Sequence, residues 1–149
     1  MAQKQVHWED VQEAMELPAW TKQPANVQLF LYSAITRNAH RIHYDKEYAA
    51  TEGYPEVVIH GPLQGALLAS YVTNWIGDKG FLKKLSYQNR TYAVVGDSLT
   101  FKGRVKRKWV EDRQHLVELE LWEENQRGEV CMPGAAVVAL PSRGAARAR

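Results

Sequence analysis

One apolar segment in the middle of the chain constrains the fold more than any other feature. Leu63 to Trp75 follows His60-Gly61-Pro62 and carries apolar or small side chains on nearly every side of a helix. A helix without a continuous polar face is expected to be buried. The β-branched run Val57-Val58-Ile59 before it is typical of a strand, and Gly61-Pro62 predicts the turn into the helix. The rest of the chain must therefore cover this helix.

Alternating patterns after Gly80 predict strands that provide the cover. Between Ser98 and Val110, polar residues at even positions alternate mainly with apolar ones at odd positions, so one strand face is wet. Residues 117–121 alternate Val or Leu with Glu, which predicts acids opposite the bases of the preceding strand. Ala135 to Leu140 is a third strand, apolar enough to be covered on both faces. The sequence thus predicts an α+β protein with a hot-dog fold, an antiparallel sheet wrapped around one central helix; composition alone would also fit a generic α+β domain.

Length and charge limit the organisation and the partners. The 149 residues fit a single domain, expected over residues 1–141, with residues 142–149 as a disordered tail. The tail carries three arginines, and without them the formal charge falls from +2 to −1, so no nucleic-acid partner is expected. One cysteine, Cys131, cannot form an internal disulfide, and no apolar run reaches the length of a membrane span. With no apolar signal-peptide core at the N-terminus, the expectation is a cytoplasmic protein without a membrane partner.

Two further helices lead to and follow a polar turn. Apolar residues recur with helical spacing at Val27, Phe30, Leu31, Ala34 and Ile35. This stripe predicts an amphipathic helix that leads to Asn38. A short helix is predicted over residues 46–51, with Asp45 as its N-cap.

The polar turn from Asn38 to Asp45 is the first candidate for chemistry. Three of the five histidines lie between Asn38 and Leu68. Because a histidine titrates near pH 6.5, His43 can accept and return a proton around neutrality. The residues alone favour the alternative, a structural histidine bonded within a turn. The N–H of Gly61, at the positive end of the predicted central helix, could bind a developing oxyanion.

Several strings resemble a known family. Asn38-Ala39-His40-Arg41-Ile42-His43-Tyr44-Asp45, followed by His60-Gly61-Pro62-Leu63, resembles the MaoC-like hydratase/dehydratase family of hot-dog proteins. The HRIHYD string is similar to a branch of hydroxyacyl-thioester dehydratases. Asn89-Arg90, Gly96 to Leu99 and Gly134 to Pro141 follow in the order of that family. The resemblance implies reversible addition of water across the double bond of an enoyl thioester, usually on coenzyme A.

The resemblance also implies the site. The family's catalytic histidine falls on His43, and its catalytic aspartate falls on Asn38, which cannot accept a proton. We therefore expect His43 to act as general acid and base, Asn38 to position water, and the Gly61 N–H to polarise the thioester carbonyl. Residues expected to contact the substrate are His60, Pro62, Leu63, Tyr44 and Arg90.

The resemblance also implies a substrate, an assembly and two alternative functions. The substrate is an acyl-CoA thioester, with coenzyme A as part of the substrate and with no metal or separate cofactor. The assembly is a homodimer or higher homo-oligomer, or alternatively a heterodimer. Two other functions stay open: a hot-dog acyl-CoA thioesterase, and a non-catalytic or co-catalytic subunit of a heteromeric dehydratase. The basic stripe from Lys102 to Lys108 is expected to be a solvated strand face, with a dock for coenzyme A phosphates as the alternative.

Overall fold

The fold is one antiparallel sheet with a long helix against it, seen in a computed structural model that describes residues 5–144. The α-helices are α1 (Asn26–Thr36), α2 (Lys46–Thr51) and α3 (Gly61–Ile76). The strands are β1 (Trp20–Lys22), β2 (Phe81–Tyr87), β3 (Leu99–Glu111), β4 (Gln114–Glu124) and β5 (Val130–Leu140). Their order across the sheet is β1-β3-β4-β5-β2, and every neighbouring pair is antiparallel.

The central helix α3 is buried as predicted. Leu68 and Val72 are fully buried within the main core. A Cβ added to Gly134 on β5 would approach the Leu68 side chain within 3.1 Å, so glycine lets helix and strand come close. Pro62 stands in the first turn, where a missing N–H removes no helical bond, and Gly77 ends the helix at φ 74°. The predicted hot-dog arrangement is confirmed.

The long hairpin β3–β4 confirms the predicted alternation and pairing of charges. Acids of β4 lie opposite bases of β3 and form ion pairs across the strands: Arg104–Glu120 at 2.6 Å, Lys106–Glu118 at 2.9 Å, Arg107–Glu118 at 2.5 Å, and Lys102–Glu124. The basic stripe is therefore largely matched by carboxylates, as expected of a solvated strand face.

The first helix forms where predicted, but its apolar stripe does not pack against the core. Val27, Phe30, Leu31 and Ile35 are all more than half exposed, and Ile35 is 81% exposed. Leu29 and Ser33 are the residues that α1 buries. The helix is held by this narrower face because Ser33 bonds to the buried His60. Its wide apolar stripe faces outward.

The segment Val57-Val58-Ile59 is extended but forms only a bridge. Val58 pairs with Val94 outside the main sheet, and the Ile59 N–H donates to the Ala93 carbonyl at 2.8 Å. The chain turns into α3 immediately afterwards, so the segment fixes the start of the central helix.

The ends of the chain bear on two earlier predictions. Of the predicted disordered tail, the structure describes only residues 142–144, where Arg143 pairs with Asp10 at 2.7 Å; the remainder lies outside the described residues. The single domain over residues 1–141 stays a prediction. Across residues 5–144 the structure has no helix with the length and apolar character needed to cross a membrane.

Glu123 on β4 is a buried carboxyl group inside the sheet. It is fully buried, and neither carboxylate oxygen has a hydrogen-bond partner among the described residues. Burial disfavours the charged form and raises the pKa of Glu123 from 4.5 to about 7. Cys131, whose pKa is raised first by burial and then by the Glu123 charge, stays a neutral thiol nearby.

This burial predicts a stability that falls as pH rises. Between about pH 4.5 and 7 the folded state binds a proton that the unfolded state has released, so folding is progressively disfavoured as pH increases. The full cost is roughly 3 kcal/mol at about 1.4 kcal/mol per pKa unit. Relative to the parent chain, Glu123→Gln should therefore gain stability between pH 5 and pH 8 in urea unfolding. Glu120→Gln on the same strand, an exposed carboxylate paired with Arg104, is the control. Parallel pH profiles for the parent and E123Q would contradict the prediction.

Candidate active site

His43 lies at the end of a short 3-10 turn, Arg41–His43, directly before α2. The turn is held by Asp45, whose carboxylate accepts the Tyr48 N–H at 3.0 Å and pairs with Arg41 at 2.5 Å. These contacts, the Tyr48 bond first, lower the pKa of Asp45 below its usual value. Asp45 and Arg41 therefore form the local support of His43, and the predicted N-cap is confirmed.

The ring of His43 is oriented as a base. Its Nδ1 lies 2.8 Å from the Val58 carbonyl oxygen. Because a carbonyl can only accept, Nδ1 carries the proton and Nε2 carries the lone pair. Nε2 has no hydrogen-bond partner within residues 5–144. Burial is the main cause that lowers the pKa of His43 below its usual value, so the ring is neutral at pH 7.

His60 packs directly behind this ring. The two imidazoles are stacked with centroids 3.8 Å apart and planes 18° from parallel. His60 is fully buried, and its Nε2 shares a 2.8 Å hydrogen bond with Ser33 Oγ of α1. Burial lowers the pKa of His60 to about 4, so it stays neutral. His60 thus fixes the position of His43 from the protein side.

In front of His43 lies a pocket of about 230 Å³, called here the His43 pocket. Its lining residues are His43, Val58, Ile59, Gly61, Gln64, Asn89, Arg90, Thr91 and Tyr92. The N–H of Gly61, at the start of α3, has no acceptor among the described residues, and a helix N-terminus favours negative charge. A Cβ at Gly61 would overlap the side-chain amide of Asn89, so glycine lets Asn89 lie over the helix start.

Gln64 is a functional candidate that the sequence reading missed. It is 3% exposed, and its Nε2 donates to the Ile59 carbonyl at 3.2 Å. Its Oε1 is enclosed and has no partner within the described residues. A buried acceptor without a partner is costly, and Gln64 lines the His43 pocket, so a shift of its side chain would let this oxygen accept from a donor there. The available signal was a polar residue in the first turn of an otherwise apolar helix.

Asn38 opens into a neighbouring pocket of about 320 Å³, the Asn38 pocket. It is lined by Phe30, Ser33, Ala34, Arg37, Asn38, Ala39 and Tyr44. Asn38 Oδ1 accepts the backbone N–H of His40 at 3.2 Å, and the Tyr44 hydroxyl donates to the Ala39 carbonyl. Asn38 makes no hydrogen bond with His43. A chain of contacts joins the two pockets: Ser33, which lines the Asn38 pocket, bonds to His60, and His60 stacks on His43 of the other pocket.

The structure therefore separates the predicted site residues into groups. His43, Gly61 and Arg90 share the His43 pocket, whereas Asn38 and Tyr44 share the Asn38 pocket. The other predicted substrate contacts line neither pocket: His60 and Leu63 are buried, and Pro62 is exposed.

Solved structures with the same architecture define the fold. R-hydratase PhaJ1 from Pseudomonas aeruginosa, in the unliganded form, has a TM-score of 0.84 at 23% identity, covering 93% of this chain and 88% of that one. A MaoC-like dehydratase has a TM-score of 0.81 at 23% identity, over 95% of this chain and 44% of the other. The ChsH1-ChsH2 complex from Mycobacterium tuberculosis has a TM-score of 0.74 at 20% identity, and the match covers 86% of this chain and 97% of that one. At these identities the likeness shows the fold, which is that of the MaoC-like dehydratases.

The sequence comparison gives the family. Residues 2–95, more than half of the chain, match the family Hydroxyacyl-thioester dehydratase type 2. The chain belongs to this family, which confirms the resemblance found in the HRIHYD and HGP strings.

Two relatives match shorter segments. Mesaconyl-C(4)-CoA hydratase of Chloroflexus aurantiacus is 63% identical over 41 residues, which are 27% of this chain and 15% of that protein. The mitochondrial hydroxyacyl-thioester dehydratase type 2 of Saccharomyces cerevisiae is 29% identical over 76 residues, which are 50% of this chain and 26% of that protein. The chain therefore matches only a minor part of the length of each relative.

Proposed function

We propose that the chain catalyses the reversible hydration of a 2-enoyl-CoA thioester to a 3-hydroxyacyl-CoA thioester. The observation that carries the proposal is the orientation of His43, whose Nδ1–H is held by Val58 while Nε2 is left free as a base beside a pocket. Family membership supports this reaction class, as do the names of the two relatives, a CoA hydratase and a hydroxyacyl-thioester dehydratase.

His43 performs both proton transfers in this proposal. Its Nε2 takes a proton from water while the water oxygen bonds to the β-carbon of the acyl group. The electron pair of the double bond shifts toward the α-carbon and the thioester oxygen. The protonated imidazole then returns its proton to the α-carbon, so one water is added and no group leaves.

The start of α3 stabilises the charge that develops on the thioester oxygen. The Gly61 N–H lies in the same pocket as His43 and has no acceptor of its own among the described residues. A preorganised donor of this kind acts on the oxyanion more strongly than on the neutral carbonyl. The side-chain amide of Asn89, which lies over Gly61, narrows the position that the thioester can take.

Gln64 supplies an acceptor for the attacking water. With one hydrogen directed to His43 Nε2, the water has a second hydrogen that needs an acceptor, and Gln64 Oε1 is buried without one. The role of Asn38 in holding water stays a prediction, because its amide opens into the neighbouring pocket. Gln64→Leu removes the acceptor while keeping a similar volume, and Asn38→Ala is the matched test of the other amide.

The experiment that tests the proposed function follows two signals at once. Crotonyl-CoA is incubated with the purified chain, and the ultraviolet absorbance of the conjugated enoyl thioester is recorded together with the release of free thiol. Hydration predicts loss of absorbance without free thiol. Thiol release would instead establish the alternative hot-dog thioesterase, and an unchanged spectrum across straight, branched and carboxylated enoyl thioesters would contradict a hydratase that acts unaided.

A dimer is part of the proposal. Strand β2 forms one edge of the sheet and exposes Phe81, which is 67% exposed, while α1 exposes its apolar stripe. An open edge strand and exposed large apolar residues are features that association can cover. Light scattering coupled to size-exclusion chromatography should give twice the mass of the chain; a monomer at micromolar concentration would contradict this.

The second candidate is a subunit of a heteromeric dehydratase. The specific observation is that Asn38, at the position of the family's catalytic aspartate, lies outside the His43 pocket. One of the similar structures is a complex of two differently named chains, ChsH1 and ChsH2. Under this candidate the purified chain is silent, and turnover appears only when a partner chain is added.

A further inference from the structure

We propose that Arg90 binds the free carboxylate of a dicarboxylic acyl group, so that the His43 pocket takes an enoyl thioester with a second carboxylate. This inference rests on the proposed hydratase function for the identity of the reacting group. It adds the substrate class and assigns Arg90 as the residue that selects it.

The charge of the His43 pocket is the first observation. Among its nine lining residues Arg90 is the one with a permanent charge, and no acid lines the pocket. The remaining polar lining groups are neutral: an imidazole, two amides and two hydroxyls. The pocket is therefore electropositive, and an anionic ligand would neutralise it.

The state of Arg90 is the second observation. Five other arginines of the described chain have carboxylate partners: Arg41, Arg104, Arg107, Arg127 and Arg143. Within residues 5–144 the Arg90 side chain forms no ion pair and no hydrogen bond. Arg37 and Arg113 share this property, but neither lines the His43 pocket. Arg90 is thus the one free guanidinium among the described residues that stands in the same pocket as His43.

The backbone places Arg90 firmly at this position. Its N–H donates to the Cys131 carbonyl at 2.9 Å, which ties it to the buried start of β5. Asn89, the residue before it, lies against Gly61. The backbone of Arg90 is therefore anchored next to Asn89, whose side chain lies over the proposed oxyanion donor.

The small volume of the pocket favours a short acyl group inside it. At about 230 Å³ it is smaller than the ~300–1,000 Å³ of pockets that enclose drug-sized ligands. A short acyl chain fits this space. Because His43 and Arg90 both line the pocket, the double bond can lie beside His43 while the far end of the chain meets Arg90. A guanidinium fork binds a carboxylate through two parallel hydrogen bonds.

A phosphate of coenzyme A has the same chemistry for a guanidinium, and the test separates the two sources. Stable thioether analogues are titrated by calorimetry at fixed ionic strength: carboxypropyl and butyl groups, each on coenzyme A and on phosphate-free pantetheine. The proteins are the parent chain, Arg90→Gln, Arg90→Lys and the control Arg113→Gln. R113Q removes an unpaired arginine at the β3–β4 turn, away from the pocket.

The carboxylate role predicts one pattern. The parent chain and R113Q bind the carboxypropyl analogue about 10- to 100-fold more tightly than the butyl analogue on both carriers. R90Q binds the two equally, and R90K, which keeps the charge and loses the fork, falls between. Equal binding of the two analogues by the parent chain would overturn the inference. So would an R90Q loss that is the same for both acyl groups and appears only on coenzyme A, which would assign Arg90 to a phosphate.

Turnover separates this inference from the proposed function. Hydration of crotonyl-CoA without any preference for a carboxylated enoyl thioester would support the hydratase and overturn the role of Arg90. A carboxylate preference in binding, with no hydration of any enoyl thioester, would support Arg90 and overturn a hydratase that acts unaided.

Discussion

Replacing His43 by asparagine is expected to lower kcat/KM for enoyl-thioester hydration by about 10²- to 10⁴-fold, the usual contribution of a general acid-base group. The asparagine amide can still donate to the Val58 carbonyl, which His43 Nδ1 does in the parent chain at 2.8 Å, but it offers no basic nitrogen. Steady-state absorbance kinetics measure the effect, and urea unfolding checks that the fold is kept.

His40→Ala is the matched control for this loss. His40 lies three residues before His43, is exposed, and bonds to Glu52 at 3.2 Å outside the His43 pocket. The control should keep most of the activity. Similar losses in H40A and H43N would show that the segment matters only for structure, and full activity in H43N would remove His43 from the mechanism.

The pH profile of the parent chain provides a second signature of His43. Burial lowers the pKa of His43 below its usual value, and catalysis needs the neutral ring. The acidic limb of kcat/KM should therefore fall below pH 6.5, the unperturbed value for histidine. A limb above that value would mean that another group controls the reaction.

Replacing Leu29 by alanine is expected to lower the free energy of unfolding by about 2–5 kcal/mol, the range for a large-to-small change in a core. Leu29 lies on α1, and its side chain is fully buried. Leu31→Ala on the same helix changes the same atoms at a position that is 52% exposed, and it should cost about 0.5 kcal/mol or less. Chemical unfolding of the two variants gives the comparison.

This pair tests the orientation of α1, which the sequence alone would reverse. Hydrophobic spacing places Leu31 inside and leaves Leu29 outside the stripe. A larger loss of stability in L31A than in L29A would show that the stripe is the core face. If L31A instead alters the mass measured by light scattering, the stripe is covered by association.

The elements with a strong local signal were predictable from the sequence. Helix α3 is apolar on nearly all sides and begins at Gly-Pro, so its existence, start and burial follow from local rules. The β3–β4 hairpin alternates with period two, and its opposed charges follow from cross-strand pairing. In each case the deciding interactions lie within the element or between neighbours in sequence.

The features that the sequence did not predict depend on contacts between distant segments. Ser33 is buried because it bonds to His60, which is 27 residues away, and periodicity assigns no special place to a lone serine. With Ser33 and Leu29 on the buried side of α1, its apolar stripe faces outward. A hydrophobic pattern reports which residues could be buried; it does not report which face finds a partner within the chain.

The candidate site was predictable in part for the same reason. The HRIHYD and HGP strings locate His43 and Gly61, which the structure brings into one pocket. Gln64 carries an unused acceptor there only because α3 starts where the Val57–Ile59 segment ends. Asn38 was expected to act with His43 because the family's catalytic aspartate falls on its position, but the two side chains line different pockets.

The most direct test of enoyl-thioester hydration follows the oxygen atom of water. The purified chain is incubated with crotonyl-CoA in heavy-oxygen water, and the products are analysed by mass spectrometry. Hydration by His43 predicts one heavy oxygen on the β-carbon of an intact 3-hydroxyacyl-CoA thioester, with the label lost in H43N. Heavy oxygen in a free carboxylic acid together with released coenzyme A would contradict hydration and establish thioester hydrolysis instead.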